Sequence, residues 1–398
     1  MKNKNKKLKI GLIVRKFSIN ENDAYSAGPF LNSYNLSANL AKQGCEIHVF
    51  CSGKENLVKF KPLGKGKLYA HFLKIKDFNE KDTELKHKVD SYNFEARVTE
   101  YILEKNKKLC LDIIHTQGWP MTGFLLKEIL KIRWIHTFRS LETLGLKTLP
   151  PEQKKYLELY EGIDNLSRYA DKLIVVSKGF KKEILKEIKG IKDKTTFIHN
   201  GINLEIFNKS SSSPLGVLFV GRFSQHKGID ILPKIIEDVL EKDTSYKFYL
   251  VSQGNFEIKA NKTIKSQIEK LQKRFPKRLK WYNEPISHNK LAEVHKKASI
   301  SIQPSTYEAF GNTVIEALAT GKATIVSNVG GMPEIVGNAG VVVKKYSAKS
   351  FSKQILKFLE NPKLREEYSK KAFQRAKDFT WDKIAKRHLD VYNEAVKK

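Results

Sequence analysis

The chain has no apolar run near the ~18–20 residues needed to span a bilayer; the GLIV stretch close to its start is cut short by Arg15. That run is also too short for a secretory leader. The basic opening MKNKNKKLKI therefore reads as a solvated lead-in to a first strand, and the expected location is the cytoplasm. Cysteine is scarce. Cys45, Cys51 and Cys110 are an odd set of 3 with no ligand-like spacing, which excludes a disulfide framework and fits reduced thiols that pack. No aspartate-pair metal motif is present, and no metal is expected; no bound cofactor is expected either. Acidic residues are in deficit, 43 against 73 Lys and Arg, for a formal net charge of +30. Such a surface draws anions: nucleic acid, an anionic membrane face or phosphorylated small molecules. The lysines are spread along the whole chain and aromatics do not interleave with them as in a stacking platform, so no nucleic-acid partner is expected. Peripheral contact with the inner face of an anionic membrane stays open, since clustered basic residues there contribute ~1 kcal/mol each.

What the chain does have is alternation. A length of 398 residues suggests two domains, and a hydrophobic content of 40% is enough to bury a sizeable core. Short β-branched runs, among them LKIGLIV (8–14), EIHVFCS (46–52), LDIIHT (111–116), RWIHTF (133–138), VLFVG (217–221), SISIQP (299–304) and ATIVSN (323–328), alternate with helical patterns such as GFKKEILKEI and NKLAEVHKKA. Near-continuous apolar strands suit parallel sheets covered on both faces. The expected fold is α/β, with two Rossmann-like doubly wound parallel-sheet domains facing a central cleft. The boundary is expected at NKSSSSPLG: residues 1–207 form the first domain, 208–216 the linker and 217–379 the second domain. In the tail, 380–398, Trp381, Ile384, Ala385, His388, Tyr392 and Ala395 share one helical face and must dock somewhere.

Ligands of doubly wound sheets sit at the carboxyl ends of strands, beside helix N-termini. In STYEAFGNTVIEALATGK (305–322), a strand's end leads through Glu308 and Gly311 into a helix that carries Glu316. The helix start is an anion site, Gly311 permits close backbone approach, and the carboxylates suit vicinal hydroxyls. A sugar, a diphosphate and a ribose in line would fit. Taken alone, the two glutamates could equally be an ordinary loop residue and an exposed helix residue. In VLFVGRFSQHKGIDIL, Arg222 and Lys227 follow a strand's end and could neutralise a departing diphosphate without a metal; alone, they could be two surface cations. Gly28 and Pro29 begin a helix that ends at Gly44, which is also the pattern of an ordinary glycine turn.

These pieces occur in one order along nearly the whole chain: AGPFLNSYNLSANLAKQG, DIIHTQGW, RYADKLIVVSKGFKKEI, FIHNGIN, FVGRFSQHKG, QPSTYEAFGNTVIEALATGKATIVSNVGGMPEIV and FTWDKIA. Together they resemble the retaining GT-B-fold glycosyltransferases of family GT4, glycosyltransferase group 1. The E-x₇-E stretch with GG-x-PE after it and GR-x₄-K before it is the specific part. The resemblance implies that Glu308 contacts donor-sugar hydroxyls, Glu316 holds the nucleotide ribose, and Arg222 and Lys227 hold the diphosphate. It implies that backbone around Phe310, Gly311, Asn312 and Thr313 receives phosphates and sugar, and that NEPIS (283–287), with Ile286, lines the base. Gly28 would face donor and acceptor, and the tail helix would cross back to the first domain. Retention implies same-face attack assisted by the departing diphosphate.

One position departs from the pattern. Relatives often read T-x-H where this chain reads Thr137, Phe138, Arg139. Arg139 could contact a hydroxyl or an acidic group but stays protonated and cannot act as a base. His115 and His199 lie at expected strand ends, as loop-shaping or catalytic groups. The expected activity is transfer of a sugar from a nucleotide-sugar donor to a sugar, sugar-phosphate or lipid-linked acceptor. A non-catalytic sugar-nucleotide-binding subunit and a polyanion-binding α/β protein are the alternatives.

Overall fold

The computed structural model describes residues 7–19, 28–75, 83–141, 143–144, 157–209, 214–254 and 259–397. The chain divides into two compact units, one of residues up to 176, 180–199 and from 381 onward, the other of 177–179 and 200–380. The division falls between His199 and Asn200, earlier than the serine stretch suggests; residues 210–213 of that stretch lie outside the described residues. Residues 200–207 go with the second unit for a packing reason. Ile202 bridges Thr380, and the buried Phe207 ring meets His288 and His295 edge-on at 5.9 and 5.8 Å.

The first unit runs β1 (Lys9–Ile13), α1 (Gly28–Lys42), β2 (Glu46–Gly53), β3 (Leu57–Leu63), β4 (Gly66–Lys74), α2 (Thr83–Leu109), β5 (Ile113–Gln117), α3 (Met121–Leu130), β6 (Arg133–Phe138), α4 (Leu157–Leu166), β7 (Lys172–Val175), α5 (Lys178–Glu187) and β8 (Thr195–Phe197). Its sheet has the order β3-β4-β2-β1-β5-β6-β7-β8. Every pair is parallel except β3–β4, a hairpin turned at Gly64 with φ +57°. The expected strands lie within a few residues of these bounds. β3 was not expected: Leu57, Val58 and Phe60 are exposed and only Leu63 is half-buried, so it lacks the buried run that marks the others. Its Pro62 is tolerated because it lies on an edge.

The second unit runs β9 (Gly216–Val220), α6 (Leu232–Lys242), β10 (Lys247–Val251), α7 (Lys259–Arg274), β11 (Leu279–Tyr282), α8 (His288–Lys296), β12 (Ile300–Gln303), α9 (Asn312–Ala319), β13 (Ala323–Ser327), α10 (Met332–Val336), β14 (Gly340–Val343), α11 (Ala348–Leu359) and α12 (Pro362–Ala376). Its sheet is fully parallel, with order β11-β10-β9-β12-β13-β14. The order reverses between β9 and β12, the point in such a sheet where ligands commonly bind. In the first unit the matching reversal lies between β1 and β5.

The last helix, α13 (Trp381–Lys397), returns to the first unit. Trp381, Ile384, Ala385, Val391, Tyr392 and Ala395 join the core formed by Ile10, Leu36, Ile47, Ile113 and Ile135. Burial of several such side chains, at about 1.5–3 kcal/mol each before entropy, is what holds the helix down.

Candidate functional site

The β9/β12 reversal is where the second unit gathers its chemistry. After β9 the chain passes Arg222 and makes a 3₁₀ turn over Gln225–Lys227. Gly228, at φ +79°, closes that turn against the end of β12; a Cβ there would stand 2.1 Å from the Pro304 carbonyl oxygen. The Thr306 N–H donates to the His226 carbonyl at 2.9 Å, and the Gln303 amide donates to the Val220 carbonyl at 2.8 Å. The two loops are thus stitched together. Across the seam the Lys227 ammonium pairs with the Glu308 carboxylate, both mostly buried. Arg222 stands exposed beside them. The His226 imidazole is held down at about 4 by burial and then by the Lys227 and Arg222 charges, so it is neutral at pH 7.

Glu308 continues into α9. Gly311 caps this helix in the left-handed region, φ +109° and ψ 67°, a conformation that other residues resist. The first-turn N–H groups at Asn312 and Thr313 have no acceptor within the helix. Phe310 is buried beneath the loop, 6.4 Å from the Phe379 ring, and the Asn312 side-chain oxygen accepts from the Asn200 amide at 2.9 Å. One turn further on, Glu316 is buried, and its Oε2 has no hydrogen-bond partner among the described residues. Burial pushes its carboxyl up to about 8. Ser305, fully buried at the end of β12, also has an unpartnered hydroxyl. Glu316 and Ser305 thus put two unpartnered buried oxygens in the segment that runs from β12 through α9. Gly330 lies over the same loop: a Cβ there would meet the Glu308 carbonyl oxygen. The NVGG stretch therefore supports the backbone of Glu308. Ile286, in the loop between β11 and α8, is half-buried.

The first unit gathers a smaller group at its own reversal. Gln117, at the end of β5, accepts at its Oε1 from Arg139 Nε at 3.2 Å and Nη2 at 2.8 Å, and from the Ser33 hydroxyl at 3.3 Å. Its amide nitrogen is buried and unpartnered. Burial lowers the Arg139 pKa to about 10, which leaves the guanidinium charged at pH 7. Gly28 is the first residue of α1. Among the described residues no group of three or more His, Cys, Asp or Glu side chains is placed to hold a metal ion.

A glycosyl transferases group 1 profile matches residues 203–375, and a glycosyltransferase family 4 profile matches residues 33–206. An uncharacterized glycosyltransferase of Methanocaldococcus jannaschii is 30% identical over 296 residues, 71% of this chain and 76% of the relative. The chain belongs to this glycosyltransferase family.

The transferase is also 25% identical over 308 residues to the D-inositol 3-phosphate glycosyltransferase of Corynebacterium diphtheriae, covering 71% of each chain. Among solved structures it resembles sucrose-phosphate synthase from Thermosynechococcus elongatus, with a TM-score of 0.77, 22% identity and coverage of 98% and 99% of the two chains. The fold is accordingly that of the GT-B glycosyltransferases, and family membership carries with it sugar transfer from a nucleotide-sugar.

Eight residues of the expected donor set, Arg222, Lys227, Glu308, Phe310, Gly311, Asn312, Thr313 and Glu316, lie along the two loops and one helix at the second unit's reversal. Arg139 and Gly28 belong to the first unit, and Ile286 lies in a separate loop. Sequence reasoning passed over Ser305, Gln117 and Ser33. All three stand inside motifs named above, QPS, HTQGW and FLNSY; for the first two only burial without a partner shows a polar group in need of one. His115 is not at a strand end. It is buried mid-strand in β5, with Nδ1 2.7 Å from the Tyr392 hydroxyl and Nε2 2.7 Å from the Thr137 hydroxyl, and so ties α13 to the sheet. His136 lies beneath Phe138, 4.6 Å between ring centroids, and its Nδ1 meets the Thr116 hydroxyl at 2.8 Å.

Proposed function

We propose that this glycosyltransferase moves a sugar from a nucleotide-sugar donor to its acceptor with retention of anomeric configuration and without a metal ion. The reading rests above all on Glu316, a buried carboxyl with an unpartnered oxygen one turn inside a helix whose capping glycine is left-handed. Ribose hydroxyls would donate to that oxygen and remove the cost of burying it. The donor diphosphate would lie at the N-terminus of α9, where N–H groups and the helix dipole favour negative charge. Lys227 would leave Glu308 for the phosphates, and Glu308, once released, would accept from donor-sugar hydroxyls. Arg222 and Lys227 would then stabilise the negative charge that grows on the leaving diphosphate, the work a cation does in metal-dependent transferases. The backbone of Phe310 and Thr313 and the side chain of Ile286 would line the rest of the donor.

The acceptor is a sugar, a sugar phosphate or a lipid-linked glycan. Arg139, fixed by Gln117 and charged at pH 7, favours one that carries an anionic group. The similar D-inositol 3-phosphate glycosyltransferase has a phosphate in its name, which agrees with that choice. Gly28 would face donor and acceptor at the start of α1. The same arginine also motivates a second reading, a sugar-nucleotide-binding subunit without turnover, because relatives often have histidine there.

Turnover decides between them. With a matched donor and acceptor in EDTA, nuclear magnetic resonance should show product whose anomeric configuration equals the donor's, and Arg139→Ala should raise KM for the acceptor more than it lowers kcat. Product of inverted configuration, or activity only after a divalent cation is added, would overturn the mechanism. Tight donor binding with no product from any acceptor class would favour the subunit.

A further inference from the structure

We propose that the β3–β4 hairpin of the first unit is a docking surface for an anionic phospholipid bilayer. β3 is the edge strand of its sheet, with no partner on its outer side among the described residues. Leu57, Val58 and Phe60 are 40%, 49% and 52% exposed, three large apolar side chains within four residues. The other exposed large apolar side chains described, such as Tyr92, Ile129 and Leu159, stand singly, as is normal for a surface. The strand register sets Val58 and Phe60 on one face, opposite His71 and Tyr69, and the Phe60 and Tyr69 rings are 4.9 Å apart. Lys67, opposite Pro62, shares the face of Val58 and Phe60, while Leu57 lies on the other face of the strand with Lys59 and Lys61. The whole hairpin is rich in lysine. Between residues 54 and 74 there are six, Lys54, Lys59, Lys61, Lys65, Lys67 and Lys74, against the single acid Glu55. Lys7 reaches the turn as well, donating to the Lys65 carbonyl at 3.3 Å.

The combination selects the occupant. Apolar side chains that enter the headgroup boundary, with lysines at phosphate level, are the two contributions of interfacial binding, and neither is strong alone. A second copy of the chain would bring another lysine-rich edge against this one, and Pro62 interrupts the ladder for want of an N–H. A nucleic acid would use the lysines but has no use for exposed Leu57 and Val58, which cannot stack on bases. A bilayer uses both. The surface is independent of the donor site and stands whether or not the transfer reaction proposed above is correct.

The test is co-sedimentation of the full chain with phosphatidylcholine vesicles, with and without phosphatidylglycerol, at low and at physiological salt. Two double variants are compared, Val58→Ser with Phe60→Ser and Lys65→Glu with Lys67→Glu. All four positions are solvent-facing, so unchanged thermal unfolding serves as the folding control. The wild type should partition at least about tenfold more strongly onto anionic vesicles, and each double variant should lose about tenfold or more. Equal partition onto both vesicle types, no partition at all, or variants that bind like the wild type would overturn the proposal. A concentration-dependent dimer abolished by Val58→Ser with Phe60→Ser would also overturn it and assign the strand to a second copy.

Discussion

Lys227 and Glu308 hold each other in the unliganded chain, yet the proposed donor needs both of them apart. The pair is therefore a resting contact that binding must exchange. Its loss on one side has an unusual consequence: Glu308→Gln frees Lys227 for phosphate. Binding of a nucleoside diphosphate without sugar should tighten a few-fold by calorimetry, while turnover of the full donor falls by tenfold or more because a sugar contact is lost. Diphosphate binding weakened along with turnover would show that Glu308 itself touches the diphosphate region. Glu316 makes a pH prediction. Its carboxyl is raised to about 8 by burial, above its unfolded value. The stability associated with its proton is thus fully present below about pH 4.5 and is lost as pH rises through 8. Glu316→Gln should leave the unliganded chain little changed near pH 5 and stabilise it relative to wild type by pH 8.5, on the order of a few kcal/mol. Scanning calorimetry at both pH values reads this, and a gap that does not widen with pH would contradict it. Neither behaviour was legible in the sequence. The motif places the two glutamates, but only the folded chain shows that one is paired and the other buried with an unpartnered oxygen.

Two glycines set the geometry at the scale of elements. Gly228 lets the loop after β9 touch the end of β12, and Gly311 lets β12 turn into α9. Gly228→Ala would force the loops apart, since its Cβ would overlap the Pro304 carbonyl. It should cost about 1–3 kcal/mol of stability and weaken nucleoside diphosphate binding well beyond the effect of an exposed substitution such as Lys234→Ala on α6. Equal binding by both variants would mean that the two loops do not form one site. The α/β elements themselves were readable, because parallel strands buried on both faces leave near-continuous runs such as VLFV and ATIVS. β3 was not readable for the converse reason: LVKFKPL alternates lysines with exposed apolar residues and contains proline. The inter-unit boundary was displaced because a serine-rich stretch marks where packing is absent, not where it changes sides. Ile202 and Phe207, before that stretch, already pack with the second unit.

Acid should divide the whole molecule unequally. His71, His136 and His388 are held near 3 by burial, and His115 lies well below the ordinary range, all in the first unit; in the second, His295 is near 3 and the partly exposed His226 about 4. Each is neutral when folded and binds a proton when unfolded below about pH 6.5, so the stability it contributes is lost as pH falls from there. Glu95, raised by burial to about 7, opposes this in the first unit, as Glu316 does in the second, but each is a single group against several. On acidification from pH 7 to 5 the first unit should open first, seen as faster amide exchange in β1, β5, β6 and α13 than in β9, β12 and β13. The reverse order would contradict the assignment. His115→Gln should narrow the difference between the units.

If the β9/β12 reversal of this glycosyltransferase is a nucleotide-sugar donor site, calorimetry will register it as selective nucleotide binding. UDP, GDP, ADP and dTDP would be titrated in EDTA into wild type, Arg222→Ala and Glu316→Ala. One nucleotide should bind selectively, and each substitution should weaken it about tenfold or more. Weak binding that is uniform across the four nucleotides, abolished by salt and indifferent to both substitutions would contradict it and leave the +30 charge as the only attraction.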